Sequence, residues 1–98
     1  MTLEIRLRTE TERDLLEAAS WYEGQQSGLG HRFLDEALKA FSAIAERPSL
    51  YPIVHRNTQR SLIHRFPFGV YYRVEGAVVV VIAIIHGSRD PQTWQRRT

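Results

Sequence analysis

Three kinds of side chain in the second half of the sequence have the chemistry to act together on a phosphodiester. His64 and His86 are candidate general acids or bases, Tyr71 is a candidate donor, and Arg65, Arg73 and Arg89 are fixed cations. Metal-free RNA cleavage needs that set: a base for the 2′-hydroxyl, an acid for the leaving oxygen, and cations for the pentacovalent phosphorane. The residue types suffice; only their convergence in space would make them a site. Each also has an ordinary structural use. Tyr71 and Arg73 suit the solvent side of a strand, the histidines suit satisfied positions in a fold, and Trp94 suits the cap of a sheet edge. Asp90-Pro91 opens a turn, with Asp90 free to pair with Arg89 or a tail arginine.

Other chemistries are excluded or unsupported. The sequence has no cysteine, so disulfides, thiolate catalysis and Cys-based zinc sites are impossible. His31, His55, His64 and His86 show no close metal-ligand spacing, and neither a glycine-rich phosphate loop nor a nucleophile elbow occurs, so no metal or cofactor is expected. The opening MTLEIRLR is charged from its fourth residue, unlike a secretory leader, and the apolar run 77–85 is shorter than the roughly 20 residues of a membrane span. A cytoplasmic protein without membrane association is therefore expected.

Charge is unevenly divided. Residues 1–50 carry six basic and nine acidic side chains, whereas residues 51–98 carry seven arginines against Glu75 and Asp90. Arginine's planar fork suits phosphate and carboxylate better than lysine's point charge. The second half therefore offers an anionic partner a cationic surface, or else forms a solvated basic face.

The elements that must position these groups are legible from periodicity. Ninety-eight residues, with 43% hydrophobic and 24% charged side chains, make one domain spanning 1–98. LEIRLR alternates like a half-buried strand. TETERD then offers Thr9 or Thr11 as an N-cap for a helix over about 11–26, with Leu15, Ala18, Ala19 and Tyr22 on one stripe. After the break at SGLG, the spacing of Leu34, Ala37, Leu38, Phe41, Ile44 and Ala45 predicts a second helix, closed by Arg47-Pro48. RSLIHRF, FGVYYRV and AVVVVIAII read as strands, the last buried on both faces in the middle of a sheet. The expected fold is α+β in the order β-α-α-β-β-β. A helical hairpin packs on one face of a small, mostly antiparallel, four-stranded sheet, and the other face stays bare. Alternation places Arg65, Tyr71 and Arg73 together on that bare face, with His86 and Arg89 at the exit of the buried strand. Truncation after Gly87 is then expected to leave the sheet folded.

The sequence resembles the RelE/ParE superfamily of type II toxin–antitoxin toxins, and within it the ParE-like plasmid-stabilisation branch. The resemblance spans almost the whole chain through DLLEAASWYEGQQSGLGHRFLDEALKAFSAIAERPSLYP, RFPFGVYYRVEG and VVIAIIHGSRDPQTWQRR. It implies the same two-helix, antiparallel-sheet fold, inhibition of DNA gyrase, growth arrest, and a hetero-oligomer with a ParD-like antitoxin that blocks the toxin. In the RelE-like branch it would instead imply cleavage of mRNA on the ribosome, with Arg65, Tyr71, Arg73 and His86 as catalytic counterparts. The lysine-rich tract usual for such nucleases is missing here, since Lys39 is the single lysine. The resemblance thus favours the gyrase-directed reading, a binding activity rather than catalysis, with Arg60, Arg89, Trp94, Arg96 and Arg97 as contacts to target or antitoxin.

Overall fold

The computed structural model describes residues 2–98. The chain runs β1 (Glu4–Leu7), α1 (Thr9–Gln25), α2 (Leu29–Glu46), a 3-10 turn (Pro48–Leu50), β2 (Ile53–His55), β3 (Thr58–Leu62), β4 (Phe68–Glu75), β5 (Val78–His86) and α3 (Gln92–Gln95). The sheet order is β1-β5-β4-β3-β2. β1 runs parallel to β5, and the other pairs are antiparallel. The sheet therefore has five strands rather than four. The extra strand, β2, is three residues long and directly follows Pro52, too short to show a period.

Both helices lie on one face, as expected, but their starts differ from the capping reading. Neither Thr9 nor Thr11 caps α1; Arg8 occupies the N-cap without a side-chain bond, and Glu10 and Glu12 in the first turn complement the dipole instead. Thr11 is buried and donates to Val81 O at 2.8 Å. The start of α2 is held by the helix before it. Glu23 accepts the Gly28 N–H at 2.9 Å and the Gly30 N–H at 3.0 Å, and these two bonds lower its carboxyl pKa. Gly30 allows the two helices to close, because a Cβ there would meet Ala19 O at 2.5 Å.

The main core fills the space between helices and sheet. Phe33, Ala37 and Ile44 of α2 are fully buried against Val70, Tyr72, Val79, Val81 and Ile84. The α2 stripe is rotated slightly from the sequence reading: Phe33 and Ala40 point inward, while Leu38 is exposed. Tyr22, Phe33, Phe66 and Phe68 pack ring to ring at centroid distances of 4.8 to 6.0 Å. Phe33, the fully buried member of this group, contributes about 1.5–3 kcal/mol. Tyr72 reaches past them, donating to Pro48 O at 2.5 Å. Burial, with a smaller contribution from Tyr51, pushes its phenol up to about 12.

A bulge in β5 explains the unbroken apolar run. Tyr71 faces Ala83 while Tyr72 faces Val81, so Ile82 is the extra residue. Val79 and Val81 point to the helices, Ile82 and Ala83 both point to the opposite face, and Ile84 returns to the helical side. Beyond Leu7, β1 no longer covers β5. The edge so exposed is occupied by side chains: Asp14 accepts the Ile84 N–H at 3.0 Å, and Arg97 donates to Ile82 O at 3.0 Å. Those groups stand where a further strand residue would bond, which blunts the edge.

Candidate functional site

The segment after β5 is what the sequence left loose and the fold ties down. Gly87 N donates to Pro67 O at 2.7 Å, and Asp90 accepts the Gln92 N–H at 2.9 Å, which sets the start of α3. That short helix lays Trp94 flat on Tyr71, with ring centroids 4.4 Å apart and planes at 21°, and His55 meets the indole edge-on at 5.8 Å. Trp94 is 5% exposed and Tyr71 4%, forming a second small core with Ile82, Ala83 and Ile85. Arg97 then forks onto Asp14 at 2.6 and 3.1 Å. That bond holds the guanidinium proton even more firmly than usual.

The face expected to be bare is thus half covered by the chain's own C-terminal segment. Trp94 and Arg97, read from sequence as partner contacts, are committed to packing and to the Asp14 ion pair. The uncovered half carries a charge pattern instead. Arg6 and Arg73 flank Val80 in one row, Glu4 and Glu75 flank Val78 in the next, and each arginine pairs with the glutamate of its own strand.

The four candidate catalytic residues do not converge. Arg65 lies beyond the end of β3, in a turn with φ of 69°, and lines a groove on the helical side with Tyr22, Leu29 and Phe66. Its expected place beside Tyr71 and Arg73 is lost because Ile63 turns into the core and ends the strand. Tyr71 is sealed under Trp94. Arg73 is on the same face but paired with Glu75. His86 is on the helical face, its ring 5.2 Å from Phe68, and its Nδ1 accepts the Ser88 N–H at 3.0 Å. Among the described residues no three His, Asp or Glu side chains are placed to share a metal ion.

Two grooves remain beside β3. The larger, about 650 Å³, runs between α2 and β3 past Lys39, Ala43, Tyr51 and His64. The smaller, about 230 Å³, lies on the opposite face between Arg60 of β3 and Arg89, with Gly69, Tyr71 and Trp94 below. Arg60 and Leu62 line both. Sequence reading singled out Arg60 and Arg89 but missed Leu62 and Gly69. A leucine at the last residue of β3, beyond the pairing of β2, and a glycine inside a strand were the available signals. Arg96 is exposed, donating weakly to Gln92 at 3.4 Å.

The family model described as the ParE toxin of the type II toxin–antitoxin system parDE matches residues 5–91. The chain belongs to that ParE toxin family. No curated protein sequence matches it. Among solved structures, the ParE-family chain is similar to one from the chromosomal ParDE toxin–antitoxin system of P. aeruginosa, with a TM-score of 0.71 at 13% identity over 87% of this chain and 96% of that one. It is also similar to one from the RelBE2 toxin–antitoxin complex of Mycobacterium tuberculosis, with a TM-score of 0.64 at 17% identity over 88% and 99%. At such identities these likenesses speak for the shared ParE/RelE toxin fold. Among the described residues no helix of the ParE-family chain is long and apolar enough to cross a membrane.

Proposed function

We propose that this toxin acts in the cytoplasm by binding and inhibiting DNA gyrase, without catalysis of its own, and that a ParD-like antitoxin silences it. The observation that carries the choice of target is the dispersal of Arg65, Tyr71, Arg73 and His86. A ribonuclease acting through them would need acid, base and cations around one phosphate, whereas here Tyr71 is sealed by Trp94 and His86 lies across the sheet from it. Contacts to target or antitoxin come from Arg60, Arg89 and Arg96, and the Trp94 and Arg97 anchors fix the segment bearing the last two. The antitoxin lies along the groove between α2 and β3, whose apolar floor and charged rim suit an amphipathic helix or extended chain. The toxin–antitoxin complexes among its structural neighbours support a partner of this kind.

Purified toxin should lower gyrase supercoiling while transcripts in a translating extract stay intact, and co-expression of the antitoxin from the neighbouring gene should relieve growth arrest. Unaffected gyrase at saturating toxin would remove the reading. Codon-phased cuts abolished by Tyr71→Phe, His86→Ala or Arg65→Ala would replace it with the ribosome-dependent nuclease.

A further inference from the structure

We infer that the uncovered half of the sheet docks against the same half of a second copy of this chain, glutamate row on arginine row about a two-fold axis.

The charge pattern sets the kind of partner. Glu4, Val78 and Glu75 form one row across β1, β5 and β4, and Arg6, Val80 and Arg73 form the next. These six side chains leave the face away from α1 and α2, because Ile5, Leu7, Val79 and Tyr72 take the helical side. Two strand residues separate the rows, a distance of about 7 Å. That is inside the screening length of about 8 Å at physiological salt, so neither row hides the other. An acidic peptide or a phosphate backbone would gain at the arginines and be repelled at the glutamates. A fitting partner carries both signs, in alternate rows at this spacing.

A second copy meets that requirement through symmetry. A two-fold axis lying between the rows, and parallel to them, sets Glu4 over Arg6 of the second copy and Glu75 over Arg73. Val78 then meets Val80, and every contact is made twice. An axis along the strands would instead set like charge on like. The pairs already present within the chain, Arg6 with Glu4 and Arg73 with Glu75, join into alternating networks across the contact. Networks of this kind contribute where isolated exposed pairs do not.

Shape selects the same axis. Beside the arginine row the face is raised by the C-terminal segment, where Trp94 covers Tyr71 and Ile82. Beyond the glutamate row the sheet ends at the turn of Gly76 and Ala77. Rotation about that axis puts the raised half of each copy past the sheet end of the other, so step fits step. Val78 and Val80, both partly buried, supply the apolar strip between the charges. Six side chains from each copy make a small contact, so the dimer is weak and salt-sensitive. The groove between α2 and β3 stays open in both copies, because it lies on the helical side.

Sedimentation of the full chain at low salt should show the 11.4 kDa monomer passing into dimer as concentration rises. Adding NaCl to about 1 M should reverse that, since charges are then screened beyond about 3 Å. Arg73→Glu and Glu75→Arg should each weaken self-association about tenfold or more, because symmetry repeats the like-charge contact. An equimolar mixture of the two variants should recover a heterodimer with Kd within about threefold of the wild type, since the altered side chains then face each other with opposite charge. A role confined to the ion pair inside one chain allows rescue by both changes in the same chain, but not by mixing. Arg47→Glu, exposed at the C-terminal end of α2, should stay within about twofold. A monomer at every concentration would overturn the inference. So would a dimer that both single variants retain, or one that mixing fails to restore.

Discussion

The two faces of the sheet are closed by unequal means. On one, α1 and α2 press a continuous aromatic and aliphatic layer onto β4 and β5, with Phe33, Ile44 and Tyr72 fully buried. On the other, a four-residue helix supplies one indole, the residues after it supply one ion pair to α1, and the remainder is a lattice of paired glutamates and arginines. The helical face rests on many redundant contacts; the tail-covered face rests on Trp94 and on the Arg97–Asp14 fork. Local opening is expected first where buried contacts are few. The groove between Arg60 and Arg89 is bounded by that weaker region, so the side of the molecule that carries this groove is also the side most easily reshaped.

Substitutions at the two covers should rank in that order. Phe33→Ala removes a side chain in contact with Tyr22, Phe66 and Phe68 and should cost about 3–5 kcal/mol, read as a fall in Tm or outright unfolding. Trp94→Ala exposes Tyr71, Ile82 and Ile85 and should cost up to about 3 kcal/mol, with amide exchange rising along β5 from Ile82 while α2 stays protected. Equal exchange on both faces in Trp94→Ala would erase the contrast. Truncation after Gly87, expected from sequence to spare the sheet, removes Trp94 and Arg97 together and should lower stability further than either alone.

Asp14→Asn comes next, at about 2 kcal/mol, because it leaves Arg97 half-buried without its carboxylate and weakens the bond to Ile84 N. Loss of stability without any change in Tyr71–Trp94 stacking, measured by near-ultraviolet circular dichroism, would show that the fork and the indole hold the tail independently.

The smallest effect is at Tyr72. Its phenol titrates in the folded chain at about 12 against 10.0 for an ordinary tyrosine, chiefly through burial. The sign follows from the neutral form being the one preferred inside. The contribution is fully present below pH 10 and is lost as pH rises from 10 toward 12. Tyr72→Phe should flatten that alkaline limb while costing about 1 kcal/mol at neutral pH from the lost bond to Pro48 O.

Local periodicity in this sequence fixed what depends on neighbours along the chain. The 3.6-residue repeat around Phe41 and Ile44 specifies α2, the alternation in LEIRLR specifies β1, and the β-branched run within 77–85 specifies a central strand, because each pattern makes sense in one local geometry. What faces what was decided elsewhere. The bulge at Ile82 reverses the alternation of β5, the turn at Ile63 carries Arg65 off the sheet, and Asp14 meets Arg97 across 83 residues. No pattern within one segment encodes those outcomes, since each depends on two or more elements docking in one register. The same arginines and the same tryptophan read equally well as an exposed contact surface or as a cover, and only the docking of α3 on β4 and β5 distinguishes them.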